Sequence, residues 1–335
     1  MAILTARKSG PISFTKVNNP TAGDVHVNRP LTNFAQKYMQ NADAFIASRA
    51  FPNIPVAKQS DLFYEFDRND FFRDDVELRA DSTESAGSGF KVSTTAYLAG
   101  VWAYHKDVSD RQRSNADEAI GPDRSATQFV TQKHLIRRER DWASIFFGTS
   151  IWTTEDLTAV DWSGAGTPIE DVRLAQTTVH GLTGFRPNKM VVGRATWDAL
   201  QDNDELLSRI TGGATASVPA KVMKTLIAGL LELEEIFVMD GVVNVSVEGA
   251  ATQTVQFIGG DQALVYYAPA SAGLEDVTAG VTFSWTGLLG NSPNGMRIKR
   301  FRMENLESDR IEGQMAFAHQ VIGADLGFFF SNTVT

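Results

Sequence analysis

Cysteine is absent from the 335 residues, and histidine occurs only five times. The first absence removes disulfides, thiolate metal sites, iron–sulfur clusters and cysteine nucleophiles together. Five scattered histidines leave little from which to build a metal centre, so no metal and no cofactor are expected. Long apolar runs are missing too. Nothing approaches the roughly 18–20 residues of a spanning helix, and Met1 to Gly10 lacks the apolar centre of a signal peptide. Basic charge is in deficit, with 31 Lys and Arg against 40 Asp and Glu and a net charge of −9. Such a surface repels duplex phosphate overall, which argues against general nucleic-acid binding. These absences point to a soluble protein made in a cytoplasm, with no membrane partner.

What is present is an ordinary globular mixture, 43% hydrophobic and 21% charged, enough for one large domain or two modest ones. It is unevenly spread. Ala6 to Pro30 is punctuated by Gly10, Pro11, Pro20, Gly23 and Pro30 and reads as an extended arm able to lie on something else. A short helix is expected over Asn33 to Ala47, stopped by Pro52 and Pro55.

The most unusual stretch is Asp61 to Phe90. Nine acidic residues against three arginines give it −6 of the chain's −9. Yet Phe63, Tyr64, Phe66, Phe71 and Phe72 are interleaved with that charge, and disordered segments are poor in aromatics. A flexible tip at Glu84 to Gly89 is followed by a β-rich alternation from Phe90 to Asp107. The pattern predicts a long hairpin, whose limbs of some 14 residues would reach about 45 Å at 3.3 Å per residue. A limb of that reach, carrying aromatics, is expected to dock on a neighbouring molecule rather than to remain a solvated loop.

The strongest helix signal comes next. Gly121-Pro122 with Asp123 or Ser125 as cap predicts a helix over Ala126 to Phe147, ended by Gly148. Its apolar face should carry Phe129, Leu135, Ile136, Trp142, Ala143, Phe146 and Phe147. The opposite face should carry Lys133, Arg137, Arg138 and Arg140. An acidic hairpin is thus followed by a helix with a basic face. After a turn-rich break at Thr153 to Thr167, the chain alternates helix and strand. Helices are expected at Ile169–Gly181, Thr196–Ile210 and Pro219–Leu231, and buried strands at Lys189–Gly193 and Glu235–Asp240. This is the pattern of an α/β layer. Further strands follow at Gln253–Ile258, Gln262–Tyr267, Gly280–Thr286, Met296–Asn305 and Ile311–Phe330.

Catalytic signals are thin, and no enzyme activity is expected. Gly212-Gly213 and Gly259-Gly260 lack the lysine and hydroxyl of a phosphate loop. His105, Asp107 and Ser109 would share a strand face, a poor basis for a hydrolytic triad. Asp74 and Asp75 lack the glycine and terminal glutamate of a calcium loop.

The order of features resembles tailed-bacteriophage major capsid proteins of the Johnson fold, an α+β fold shared with encapsulins and herpesvirus capsid floors. Local runs carry the likeness. These are Arg186 to Gly193 followed by Trp197, Leu200, Asn203, Leu207 and Ile210; Leu231 to Val238; Gly259 to Pro269; and Thr282 to Trp285. The resemblance implies an N-terminal arm at 1–50, an extended E-loop at 51–94 and a P-domain at 95–165 holding the spine helix. It implies an A-domain at 166–276 and returning P-domain strands at 277–335. The implied role is structural: many copies, as pentamers and hexamers, form the icosahedral shell around a double-stranded DNA genome. Self-contacts would join the E-loop (Phe63, Phe66, Asp70, Phe71, Asp74, Asp75) to a spine-helix acceptor (Arg137, Arg138, Arg140). Because the chain starts almost directly with the arm, a scaffolding protein is expected as a separate partner, beside a portal and a decoration protein. Packaged DNA is expected to make only weak, non-specific contact. The expected location is the virion, with assembly in the host bacterial cytoplasm. An encapsulin shell around protein cargo is the alternative within the same fold, and a hydrolase using His105 the alternative outside it.

Overall fold

Pro122 supplies a preset φ at the first turn of the longest helix, and the apolar residues that follow bury one side of it. The computed structural model describes residues 39–116, 121–210, 224–271, 273, 276–289 and 296–334. In chain order its strands are β1 (Asn53–Val56), β2 (Ser60–Phe66), β3 (Val92–Leu98), β4 (Gly100–Ser109), β5 (Thr154–Ala159), β6 (Lys189–Gly193), β7 (Glu235–Met239), β8 (Val242–Asn244), β9 (Val255–Phe257), β10 (Ala263–Tyr266), β11 (Gly280–Trp285), β12 (Met296–Met303), β13 (Ser308–Val321) and β14 (Gly327–Asn332). The α-helices are α1 (Arg68–Phe71), α2 (Asp110–Ser114), α3 (Pro122–Phe146), α4 (Pro168–Thr183), α5 (Arg194–Gln201), α6 (Asp204–Ile210), α7 (Lys224–Leu230) and α8 (Thr286–Leu289).

Two five-stranded sheets organise the chain. The first runs β1-β11-β13-β12, with β4 also paired to β13. The spine helix α3 packs across β13 and β4. Close approach is possible because Gly313 has no side chain: a Cβ there would lie 2.6 Å from a Val130 methyl and 2.8 Å from the His134 ring. The second sheet runs β5-β14-β10-β6-β7 and is covered on both faces. Met190, Val192, Ala263, Val265, Phe328 and Phe330 face a core shared with α4 to α7. Val191, Leu264, Tyr266 and Phe329 face the other way, onto Phe51, Trp142, Phe146 and Trp152. Burial on both faces explains why these strands read as unbroken apolar runs.

Several expectations are corrected. The described part of Asn33–Ala47 contains only a 3-10 turn at Ala42–Ala44, and the remainder lies outside the described residues. Residues at the end of the proposed arm are core, not overlay: Phe45, Ile46, Ala47 and Ala50 are all buried, as is Phe51, the first residue of the expected E-loop. The spine helix starts earlier, at Pro122, and Gly121 is its cap without any side-chain cap bond, so neither Asp123 nor Ser125 fills that role. The helix expected over Thr196–Ile210 is two. Buried Asn203 sits at the break, donates to the carbonyls of Trp162, Gly164 and Gly166, and accepts the Leu206 N–H. These bonds satisfy backbone groups that a continuous helix would not reach.

The turn-rich break after Thr153 contains β5, which pairs in parallel with β14. The expected strand Ile311–Phe330 is likewise broken at Ile322–Leu326, so that β13 serves the first sheet and β14 the second. Sheet membership therefore crosses the expected limits at 165 and 277. The chain's last strand lies beside β10, in the sheet that also holds β6 and β7.

Candidate assembly surface

The hairpin forms as β2 against β3, in register from Ser60 opposite Leu98 to Phe66 opposite Val92. Its paired limbs are seven residues each, half the expected length. Beyond them, α1 turns the chain, and residues 72–91 continue without a ladder. Asp67 caps α1 by accepting the Asn69 N–H. Asp70 accepts the N–H of Lys91 at 2.8 Å and lies 3.7 Å from Arg73, so it clasps the outgoing and returning chains to each other.

The aromatics divide into two groups. Phe63 is anchored at home, its ring 5.7 Å from Phe283, which also stacks on Tyr97 at 4.4 Å. Phe66, Phe71 and Phe90 form a separate three-ring cluster with centroids 5.5–6.1 Å apart, and each ring stays 47–59% exposed. Phe72, Val76 and Leu78 beyond the ladder are also exposed, and Leu98 is exposed separately at the base of the hairpin, opposite Ser60. Beyond the Phe63 and Tyr97 anchor at its base, the limb is held within one chain at the α1 turn. Arg68 pairs with Asp325 at 2.5 Å, and a Cβ on Gly184 would lie 3.6 Å from the Phe72 ring. Asp74 is exposed and Asp75 half-buried.

On the spine helix the three arginines do not form one basic face. Arg138 is buried at 3% exposure, over the Phe317 ring, and burial pulls its pKa down to about 10. It is a core residue, not an acceptor. The sequence pattern misleads here because the buried stripe of α3 is itself polar: His134, Arg138 and Glu139 lie on it with Val130, Trp142 and Phe146. Phe129, expected in the apolar face, is 43% exposed beside Tyr104. Arg137 is exposed, stacks 3.8 Å over the Trp102 ring and donates to Asp141 at 3.0 Å. Arg140 is exposed, with no carboxylate within pairing distance among the described residues.

Glu139 was not singled out by the sequence, since a glutamate among arginines reads as a surface charge. It is fully buried. Its two oxygens accept the Ile46 and Ala47 N–H groups at 2.8–3.0 Å. Burial pushes its pKa up to about 7 against the opposing effect of those bonds. His319, also buried, is pulled down to about 3, first by burial and then by Arg138. A second missed cluster sits at the other end of the helix. Asp309 lies 2.6 Å from Arg300 and 2.7 Å from Arg113, while Asp110 takes Arg302 and Asp123 takes Arg113.

The triad reading does not assemble. Asp107 is engaged by Arg310 at 2.8 Å, and Ser109 is the N-cap of α2. Among the described residues, no group of three His, Asp or Glu side chains is placed to hold a metal ion. No described helix is long and apolar enough to cross a membrane.

No family model matches the chain, and no curated protein matches its sequence. Solved structures do match. A phage-related protein from Bordetella bronchiseptica is 16% identical with a TM-score of 0.64, covering 90% of this chain and 96% of that one. The capsid of cyanophage P-SCSP1u is 11% identical with a TM-score of 0.56, covering 97% of this chain and 100% of that one. The SrpI encapsulin of Synechococcus elongatus is 11% identical, also with a TM-score of 0.56, covering 91% and 94%. The chain has the α+β fold shared by phage capsid proteins and encapsulins, as the resemblance in its sequence implies.

Proposed function

We propose that the protein is a major capsid protein, many copies of which form the head shell of a tailed phage. The observation that carries this reading is the open aromatic cluster of Phe66, Phe71 and Phe90 on a limb attached to that fold. A monomer leaves this surface in water, whereas a neighbour covering it gains about 25 cal/mol for each Å² of apolar area removed. Of the three spine-helix arginines expected as acceptors, Arg140 is exposed without a carboxylate partner among the described residues and is left to meet the acidic limb, with Arg137 beside it. Their exposed ion pairs add about 0–1 kcal/mol each and serve mainly to set register. Residues 166–276 would meet around the five-fold and quasi-six-fold axes, and the hairpin would overlap the adjoining subunit. Contacts that join unlike surfaces close into rings when the rotation permits.

Scaffolding, portal and decoration proteins would be separate chains, and the acidic wall would grip packaged DNA only weakly. The site of action would be the virion, after assembly in the bacterial cytoplasm. No catalytic role is assigned.

Electron microscopy of the purified protein tests the reading. Closed icosahedral particles, and packaged DNA in particles recovered from phage-producing cells, are the expected result. Shells that instead enclose a host protein would favour an encapsulin, and a protein that never forms particles would reject both.

A further inference from the structure

The strand β12 (Met-Arg-Ile-Lys-Arg-Phe-Arg-Met) is an edge of the first sheet, and among the described residues nothing pairs with its outer side. An edge of this kind offers a row of backbone N–H and C=O groups to another extended chain. It carries four basic residues and no acidic one. Arg300 and Arg302 are turned to Asp309, Asp123 and Asp110 of their own chain. Arg297 and Lys299 have no carboxylate partner among the described residues; Arg297 donates only to Gln314. Between these two cations, on the opposite face, Ile298 is 43% exposed.

The hairpin tip has the complementary pattern. Residues 73–80 are Arg-Asp-Asp-Val-Glu-Leu-Arg-Ala, unladdered, and Val76 is 91% exposed. In an extended strand, Asp75 and Glu77 share one face and Val76 takes the other. Two acids spaced i, i+2 about an apolar residue thus match two bases spaced i, i+2 about an apolar residue. Arg68 and Phe72 hold the limb beside Asp325 and Gly184, past the Val321 end of β13, whereas β12 pairs with the other end of that strand, Ser308–Met315. The donor and the acceptor therefore belong to different copies.

We propose that residues 74–78 of a second copy add to the free edge of β12, centred on Val76 opposite Ile298, with Asp75 and Glu77 facing Arg297 and Lys299. The matched spacing is symmetric about the central pair, so the charge match holds for either strand direction. Cross-strand pairs of opposite charge and of apolar side chains stabilise such a ladder, and like charges placed opposite destabilise it. The contact joins unlike surfaces, head to tail, as ring closure requires. It rests on the shell reading above and adds the acceptor and register.

Because the chain has no cysteine, Val76→Cys combined with Ile298→Cys gives a clean cross-linking probe. Under mild oxidation of assembled protein, the double variant should give a reducible ladder of dimers and higher multimers on a denaturing gel, and each single variant should not. Separately, Arg297→Glu with Lys299→Glu should lower the assembled fraction by about fivefold or more. Adding Asp75→Lys and Glu77→Lys to that variant should restore it to within about twofold of the native level. Far-ultraviolet circular dichroism of the unassembled chains reports whether each variant folds. Particles that form normally, give no ladder and ignore both charge reversals would overturn this register and leave the shell reading standing. Failure of the unaltered protein to form particles would reject the shell reading and this contact with it.

Discussion

Both carboxylate oxygens of Glu139, two turns before the C-terminal end of the spine helix, accept backbone N–H groups from Ile46 and Ala47 at 2.8–3.0 Å. This clasp joins the chain just after the proposed arm to α3, beneath a core containing Phe51, Trp142 and Phe146. Glu139→Ala would leave two buried donors without an acceptor and should cost about 2–4 kcal/mol in urea unfolding.

The same residue gives a pH dependence of definite sign. Its pKa is about 7 when folded against 4.5 as the reference. Between those values the folded state holds more protons, so this group's contribution is full below about 4.5 and is lost as pH rises through 7. Glu139→Gln abolishes that component. The stability of the native protein relative to the Gln variant should fall from pH 4.5 to pH 7. His319 acts oppositely: with a folded pKa near 3, it favours folding above pH 6.5 and loses that effect as pH falls toward 3. His319→Gln should therefore lessen acid sensitivity below pH 6.5, as chemical denaturation across pH would record.

The spine-helix arginines should separate by role. Arg140→Glu should leave the unfolding midpoint within about 0.5 kcal/mol of native while weakening assembly. Arg138→Glu would set a second buried carboxylate beside Glu139 and should cost about 3–5 kcal/mol, so that the chain fails to fold before assembly is in question. Equal loss of folding in both variants would contradict the distinction.

Gly313 marks where β13 meets the spine helix. Gly313→Val would drive a methyl-bearing Cβ into Val130 and His134 and should destabilise by about 1–3 kcal/mol or more. Thermal unfolding of unassembled protein checks this, with the exposed Phe129→Ser as a control expected to change little.

The order of elements was legible in the sequence because it rests on strong local signals. Buried strands such as Lys189–Gly193 carry an apolar run, here Met190 to Val192, and Pro122 marks a helix start. The acidic, aromatic hairpin stood out by composition alone. The polar stripe on α3 did not, because His134, Arg138 and Glu139 owe their burial to partners distant in sequence: Gly313, Phe317 and Ile46. The division of Ile311–Phe330 between two sheets was hidden for a related reason. The alternation of Ile322, Ala324, Leu326, Phe328 and Phe330 continues through a turn that only the packing of both sheets imposes. Asn203 was read as part of a family pattern, yet its three carbonyl acceptors around Trp162 to Gly166 lie some forty residues away, as the sequence separations of 37–41 record.

Sedimentation velocity on the full chain, beside a variant whose residues 72–90 are replaced by a short Asn-Gly turn, weighs the central claim. The account predicts that the native chain sediments as large multi-subunit particles, while the shortened chain remains a folded monomer, lighter than the native chain's 36.6 kDa by the residues removed. Identical sedimentation of the two, whether both assemble or both stay single, would contradict it.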